Sequence, residues 1–256
     1  MILVLFSASM TNRNSPISVI LLLSLILQSC SDSPSPHKVL VHKITDNFGT
    51  TTDLTYNANN QITAIEKTIN GKTTMVTLIY QGDSVIIDSG TDVTVVQLDG
   101  KLPIREYTAL KSKPGSPYYK VNYQNSNGVP VSRTSVAYAP IMVPDSTVIK
   151  YVWTAGNLTQ YSTKSYQQGN LYQQTWNNTF DTGNNFTNGD YLFSWALAFE
   201  GSIFSMCRNN LVSTAHADNS LTICCYQFQY NSNHYPSNIK GVQADAYTLD
   251  YREPNE

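Results

Sequence analysis

From residue 38 onward, apolar and polar side chains alternate in short runs rich in Val, Ile, Thr and Tyr: 38–44, 61–69, 72–80, 84–87 and 93–98. A period of two is the mark of half-buried strands. Explicit turn signals punctuate the runs. Asn70-Gly71 and Asp99-Gly100 are the strongest short hairpin dipeptides, and Gly82-Asp83, Gly156-Asn157 and Gly169-Asn170 are of the same kind. Further strands follow over 118–124, 129–138, 147–153, 158–166, 171–176, 221–230 and 242–251. Short gaps imply antiparallel neighbours. One stretch breaks the rhythm. Residues 190–206 place apolar side chains at 191, 192, 195, 199, 203 and 206, which is helical spacing. Asn188 or Asp190 caps its start, and Gly201 ends or interrupts it. The expected fold is mainly β: an antiparallel meander forming a curved sheet or barrel-like structure, with one short helix near 190–206.

The N-terminal pattern is different. Residues 19–27 (VILLLSLIL) form an apolar run of signal-peptide length, too short to span a bilayer as a helix. It closes in Leu27-Gln28-Ser29-Cys30, which resembles the lipobox of bacterial lipoproteins: Leu at −3, a small residue at −1 and the acylated Cys at +1. Met10 offers the better start, because Asn12-Arg13-Asn14 then supplies a positive n-region. The expected organisation is a lipoprotein signal peptide over 1–29, a lipidated polar tether over 30–37, and a single β-rich domain over 38–256. The tether's Cys-Ser-Asp start resembles that of lipoproteins of gut Gram-negative bacteria. It leaves periplasmic and surface exposure both open.

Composition narrows the function. The 256 residues carry a net charge of −2 and only 13% charged residues. No basic field exists to gather phosphates, so nucleic acid is not expected as a partner. The 17 Tyr suit half-buried pleated surfaces.

Two segments align without gaps: Tyr56-Asn57 through Asn60 to Ile62 and Ile65, and Tyr230-Asn231 through His234 to Pro236 and Ile239. Both resemble the tyrosine-aspartate repeat, a strand ending at Tyr, a tight turn and a return strand. Asn60 and His234 stand where that repeat has Gly, and both residue types tolerate positive φ. Asn125-Ser126-Asn127-Gly128 is a related turn. Together with the late helix and the Asn-Asn-Leu stretch at 209–211, these hairpins resemble an uncharacterised lipoprotein family of gut Gram-negative bacteria with a porin-like fold. The resemblance implies a strongly curved or barrel-like antiparallel sheet, and it brings no activity with it.

Candidate chemistry is sparse. No HExxH, GxSxG, P-loop or GxGxxG occurs, and the four His are scattered. Asp88-Ser-Gly-Thr-Asp92 could cradle a cation but lacks the ligand density of a calcium loop. Neither catalytic residues, a metal site nor a cofactor is expected. Cys207, Cys224 and Cys225 read first as buried free thiols, and only one of the adjacent pair could readily meet Cys207. Tyr118, Tyr119, Trp153 and Trp176 are candidate binding aromatics, weighed against core packing. Ser84 and Ser146, each after Asp, are candidate O-glycosylation sites. The expected function is a non-enzymatic envelope lipoprotein that binds or scaffolds a glycan or protein. The membrane is its partner through the lipid anchor, and the outer membrane its expected location. An enzyme with a site in the barrel mouth and a purely structural component are the alternatives.

Overall fold

The computed structural model describes residues 39–138, 146–167, 169–195, 202–218, 222–241 and 246–254; the side chains of Gln167, Ser194, Trp195, Ser202, Ile203, Ile223 and Cys224 also fall outside the description. Among these residues sixteen strands form one closed antiparallel barrel in which each strand pairs with its sequence neighbours, and β1 pairs with β16 to seal it. The strands are β1 (Leu40–Asp46), β2 (Thr51–Tyr56), β3 (Ile62–Ile69), β4 (Lys72–Gln81), β5 (Ser84–Asp88), β6 (Asp92–Asp99), β7 (Leu102–Leu110) and β8 (Tyr119–Ser126). They continue as β9 (Val129–Ala137), β10 (Ser146–Thr154), β11 (Asn157–Gln167), β12 (Asn170–Phe180), β13 (Leu211–His216), β14 (Thr222–Tyr230), β15 (Pro236–Gly241) and β16 (Ala246–Arg252). Odd strands run up from a lower rim, where β1 begins; even strands return to it.

The hairpin unit that opens the barrel recurs around it. On β1, β3, β7, β9, β11 and β15 one extra residue bulges from the ladder: His42, Thr63, Ile104, Val131, Thr159 and Ser237. The residue just before each bulge is fully buried: Val41, Ile62, Pro103, Pro130, Leu158 and Pro236. A bulge interrupts the ladder and leaves polar backbone to be satisfied otherwise. A side chain on the following strand donates to each of these carbonyls. The donors are Tyr56 to Val41 (2.5 Å), Tyr80 to Ile62 (3.0 Å), Asn125 to Pro103 (2.9 Å), Trp153 to Pro130 (2.6 Å), Asn178 to Leu158 (2.8 Å) and Tyr251 to Pro236 (2.5 Å). Pro is tolerated at three of these positions because a bulge does not require its amide.

The turns follow their residues. Asn60 and His234 adopt φ of 58° and 62°, as the repeat alignment requires. In both turns the first Asn accepts two amides: Asn57 from Asn59 and Gln61, and Asn231 from Asn233 and Tyr235. Asp46 builds a third copy on the upper rim, accepting from Phe48 and Thr50 at 2.9 and 2.7 Å.

Residues 181–195 and 202–210, between β12 and β13, enter the barrel from the lower rim. The helical stretch expected at 190–206 is, where described, two 3₁₀ turns, Tyr191–Trp195 and Ser202–Met206; 196–201 lie outside the described residues. Phe186, Tyr191, Leu192 and Phe193 pack against inward side chains that include Val41, Ile62, Leu78, Val96 and Val121. The Asn-rich start is buried because its amides replace missing backbone partners. Asn185 donates to the Cys207 carbonyl at 2.9 Å and accepts from Thr187. Asn209 exchanges two hydrogen bonds with Asn157, and Asn210 donates to the Asn184 carbonyl. The Asn-Asn-Leu stretch thus fixes the exit of this plug.

The outer face is mixed: Ile79, Ile86, Val95 and Tyr107 form an apolar outward row across β4–β7, while charged side chains stand together elsewhere. Asp250, Lys43, Asp53 and Glu66 stand side by side across β16, β1, β2 and β3, with Lys43 3.5 Å from Asp53. Lys150 and Lys164 face outward on β10 and β11, opposite the inward row that contains Tyr151. An outward Lys at a bilayer midplane would cost about 2–4 kcal/mol. The inner surface mixes an apolar core with buried polar residues such as Thr94, Glu106 and Asn178.

Candidate functional site

The inner wall of β10–β13 carries an aromatic row set by register. Tyr151 stands opposite Tyr161, Tyr161 opposite Trp176, and Trp176 opposite His216. The Tyr161 and Trp176 rings stack at 6.3 Å and 29°, and His216 meets the indole edge-on at 4.7 Å. From the plug, Phe204 supports Tyr161 edge-on at 6.1 Å. The row rests on a small apolar cluster of Leu158 and Cys207. Toward the upper rim the wall turns polar. Arg133, Ile149, Thr163 and Gln174 form the next row, and Ser135, Thr147, Ser165 and Tyr172 the one above. Tyr172 is 55% exposed, so the wall opens to solvent at the top.

Beside this wall lies a buried polar cluster. Glu106, inward on β7, accepts from the Tyr123 hydroxyl at 2.9 Å and from the Tyr191 hydroxyl of the plug. Arg133 lies over the Tyr123 ring at 6.0 Å and donates to the Tyr119 hydroxyl at 2.8 Å. Burial pushes the Tyr151 phenol up to about 12, with the Arg133 guanidinium pulling against it. Burial likewise raises Tyr123 well above the ordinary phenol value. These phenols are therefore neutral donors at physiological pH. Glu106 is held between two of them and has no second carboxylate in its hydrogen-bonding circle.

The sequence candidates fall at different places. Trp176 is central to the wall, and Tyr119 projects inside beside Arg133. Tyr118, its neighbour, lies just before β8, where burial and the nearby Asp92 carboxylate raise its phenol above the ordinary value. Trp153 is inside, but its indole N–H is taken by Pro130. Ser84 and Ser146 head β5 and β10 and are half-buried. Cys207 is a buried free thiol and Cys225 an exposed one. Asp88 binds Lys111 at 2.6 Å rather than standing open to a cation. Among the described residues no cluster of His, Cys, Asp or Glu is arranged to hold a metal. Cys30 lies outside the described residues. Tyr151, Tyr161 and His216 were not singled out from sequence. The available signal was alternation, since Tyr151 and Tyr161 sit at inward positions of their strands.

No protein-family model and no curated protein matches the chain. Its fold is similar to the crystal structure of a porin-like protein from Bacteroides uniformis ATCC 8492, with a TM-score of 0.55 at 10% identity over 83% of this chain and 98% of that one. The two share a β-barrel fold; here the barrel is closed, sixteen-stranded and plugged.

Proposed function

We propose that this chain is a non-enzymatic envelope lipoprotein, anchored to the outer membrane through an acylated Cys30, whose inner wall binds a neutral glycan chain. The aromatic row Tyr151–Tyr161–Trp176–His216 carries the reading. Flat rings pack against the C–H faces of sugars, and the Thr, Ser and Gln side chains above supply uncharged hydrogen bonds. The lipobox and the resemblance to gut Gram-negative lipoproteins support the location. The outward charged side chains on β16, β1, β2, β3, β10 and β11 favour a barrel held beside a membrane by a tether. Ser84 and Ser146 are proposed as glycan acceptors on the same mature protein.

The test is a glycan array probed with wild type and Trp176→Ala, at low and high salt. Binding should change little with salt, because few charges are screened. The variant should lose about tenfold or more in affinity, the effect of deleting a central aromatic anchor. A bound envelope protein in place of a glycan would overturn the ligand class. No ligand at all would favour a structural component. Turnover abolished by Glu106→Gln would favour an enzyme. Mass spectrometry of the mature protein reads acylation at Cys30, lost in Cys30→Ser, and glycosylation at Ser84 and Ser146.

A further inference from the structure

We propose that the lower rim holds a second, separate site that takes a single neutral polyhydroxylated ring, a monosaccharide unit. A cavity of about 220 Å³ opens there between the plug, the β2–β3 turn and the β6–β7 turn. At ~30 Å³ per water this is the space of about seven waters, which a pyranose ring with its hydroxyls would fill. Its wall is built from Tyr56 and Tyr80, with Leu192 and Phe193 of the plug beside them. Both phenols are committed to bulge carbonyls, Tyr56 to Val41 and Tyr80 to Ile62. The rings are therefore fixed, a preorganised platform for an apolar sugar face.

The polar groups fit the same ligand. Asp190 lines the cavity and acts electrostatically on both Tyr56 and Tyr80. Its Oδ1 accepts the Leu192 amide at 2.9 Å, which fixes the carboxylate at the cavity wall. A carboxylate is the natural acceptor for a pair of neighbouring hydroxyls, in charge-assisted bonds. Asn59 and Gln61 add amides from the β2–β3 turn. Lys101 also lines the cavity, and the Arg252 guanidinium lies over the Tyr56 ring at 4.8 Å. The cavity is also held open: Asn188, on the plug side, donates to the Val39 carbonyl at 2.8 Å and accepts from the Tyr235 hydroxyl at 3.1 Å.

The experiment is amide chemical-shift mapping on the isotope-labelled full chain, titrated in turn with glucose, galactose and mannose. At least one sugar should shift amides of 59–61, 98–101 and 187–193, with a dissociation constant in the millimolar range. Asp190→Asn, which keeps a good cap for the Leu192 turn, should weaken that binding about fivefold or more without lowering the melting temperature. Asn59→Ala, at an exposed turn position, should weaken it about threefold and guards against a folding failure of the first variant. Trp176→Ala should leave it unchanged, which separates this site from the inner wall. The proposal is overturned if none of the three sugars shifts those amides, or if both rim variants bind as wild type does.

Discussion

The hydroxyl of Tyr191 is the most informative single atom group to remove. It ties the plug to the wall by donating to Glu106, and it contacts the Tyr123 hydroxyl at 2.7 Å. Tyr191 is 2% exposed, and its ring meets Tyr123 edge-on at 6.0 Å. Tyr191→Phe keeps the ring, its packing and that edge contact, and deletes only the donor. Glu106 is then left, inside the barrel, with Tyr123 as its remaining phenol. A hydrogen bond to a charged group contributes about 1.5–3 kcal/mol net, so the expected loss is about 2 kcal/mol. For a domain of this size each kcal/mol moves the melting temperature by about 2–4 °C, giving a fall of about 4–8 °C. Tyr235→Phe is the comparison, since that hydroxyl donates to a neutral amide, Asn188, and should cost about 1 kcal/mol or less. Urea unfolding of Tyr191→Phe, Glu106→Gln and the double variant closes the cycle, with Tyr235→Phe measured beside them. The pair should couple by about 1 kcal/mol or more. The reasoning fails if Tyr191→Phe lies within about 0.5 kcal/mol of wild type, or costs no more than Tyr235→Phe.

Other expectations follow from the turns and thiols. Ala155 has φ of +50°, which costs an L-residue with a Cβ about 1–2 kcal/mol. Ala155→Asn would recreate the Asn-Gly turn seen at 70–71 and 127–128 and should raise the urea midpoint by about 0.5–1 kcal/mol of stability. Burial works to raise the Asp46 carboxyl, but hydrogen bonds from Thr50 and Phe48 outweigh it and hold the group below its usual value. Its stabilising effect is thus complete above the unfolded value of about 3.9 and fades as pH falls through the lower folded value. Asp46→Asn, the residue used in the two sister turns, should lower neutral-pH stability slightly, by the loss of the charge, and flatten the acid limb of a pH–melting curve. Burial pushes the Cys207 thiol up to about 12, so a thiol reagent at neutral pH should label Cys225 in the native protein and Cys207 only after denaturation, read by peptide mass mapping.

Strands with a long alternating run to one side of any bulge were legible, as β3 to β6 and β8 to β12 show. β2, β7, β13 and β15 were not marked as strands from alternation. Pro103 and Pro236 sit within two residues of a bulge, where the inward period of two slips by one. Local reading takes such a proline as a break, whereas the barrel uses it as a bend. The lower-rim turns were readable down to the sign of φ at Asn60 and His234, because turn chemistry is local. The wall was not. Trp176 stands out by type, but its partners Tyr161 and His216 reach it only through the pairing of three strands. The plug escaped for a related reason: burial of 183–188 depends on Asn side chains finding carbonyls about 20 or more residues away.

Closure by β1 and β16 places Leu40 opposite Arg252, so the two ends of the barrel chain lie side by side on one rim. Every other ladder joins sequence neighbours. The connectivity is in effect a ring cut at one point, and the position of the cut carries little structural information. A circular permutant that joins these ends and opens at the exposed Asn70-Gly71 turn keeps every strand pair. What changes is the order of assembly. In the natural order hairpins form locally, and the one long-range seam, paired last, leaves two bare strand edges waiting for each other. Moving the cut moves that vulnerable interval to β3 and β4, and with it the part of the molecule most exposed to aggregation while it folds.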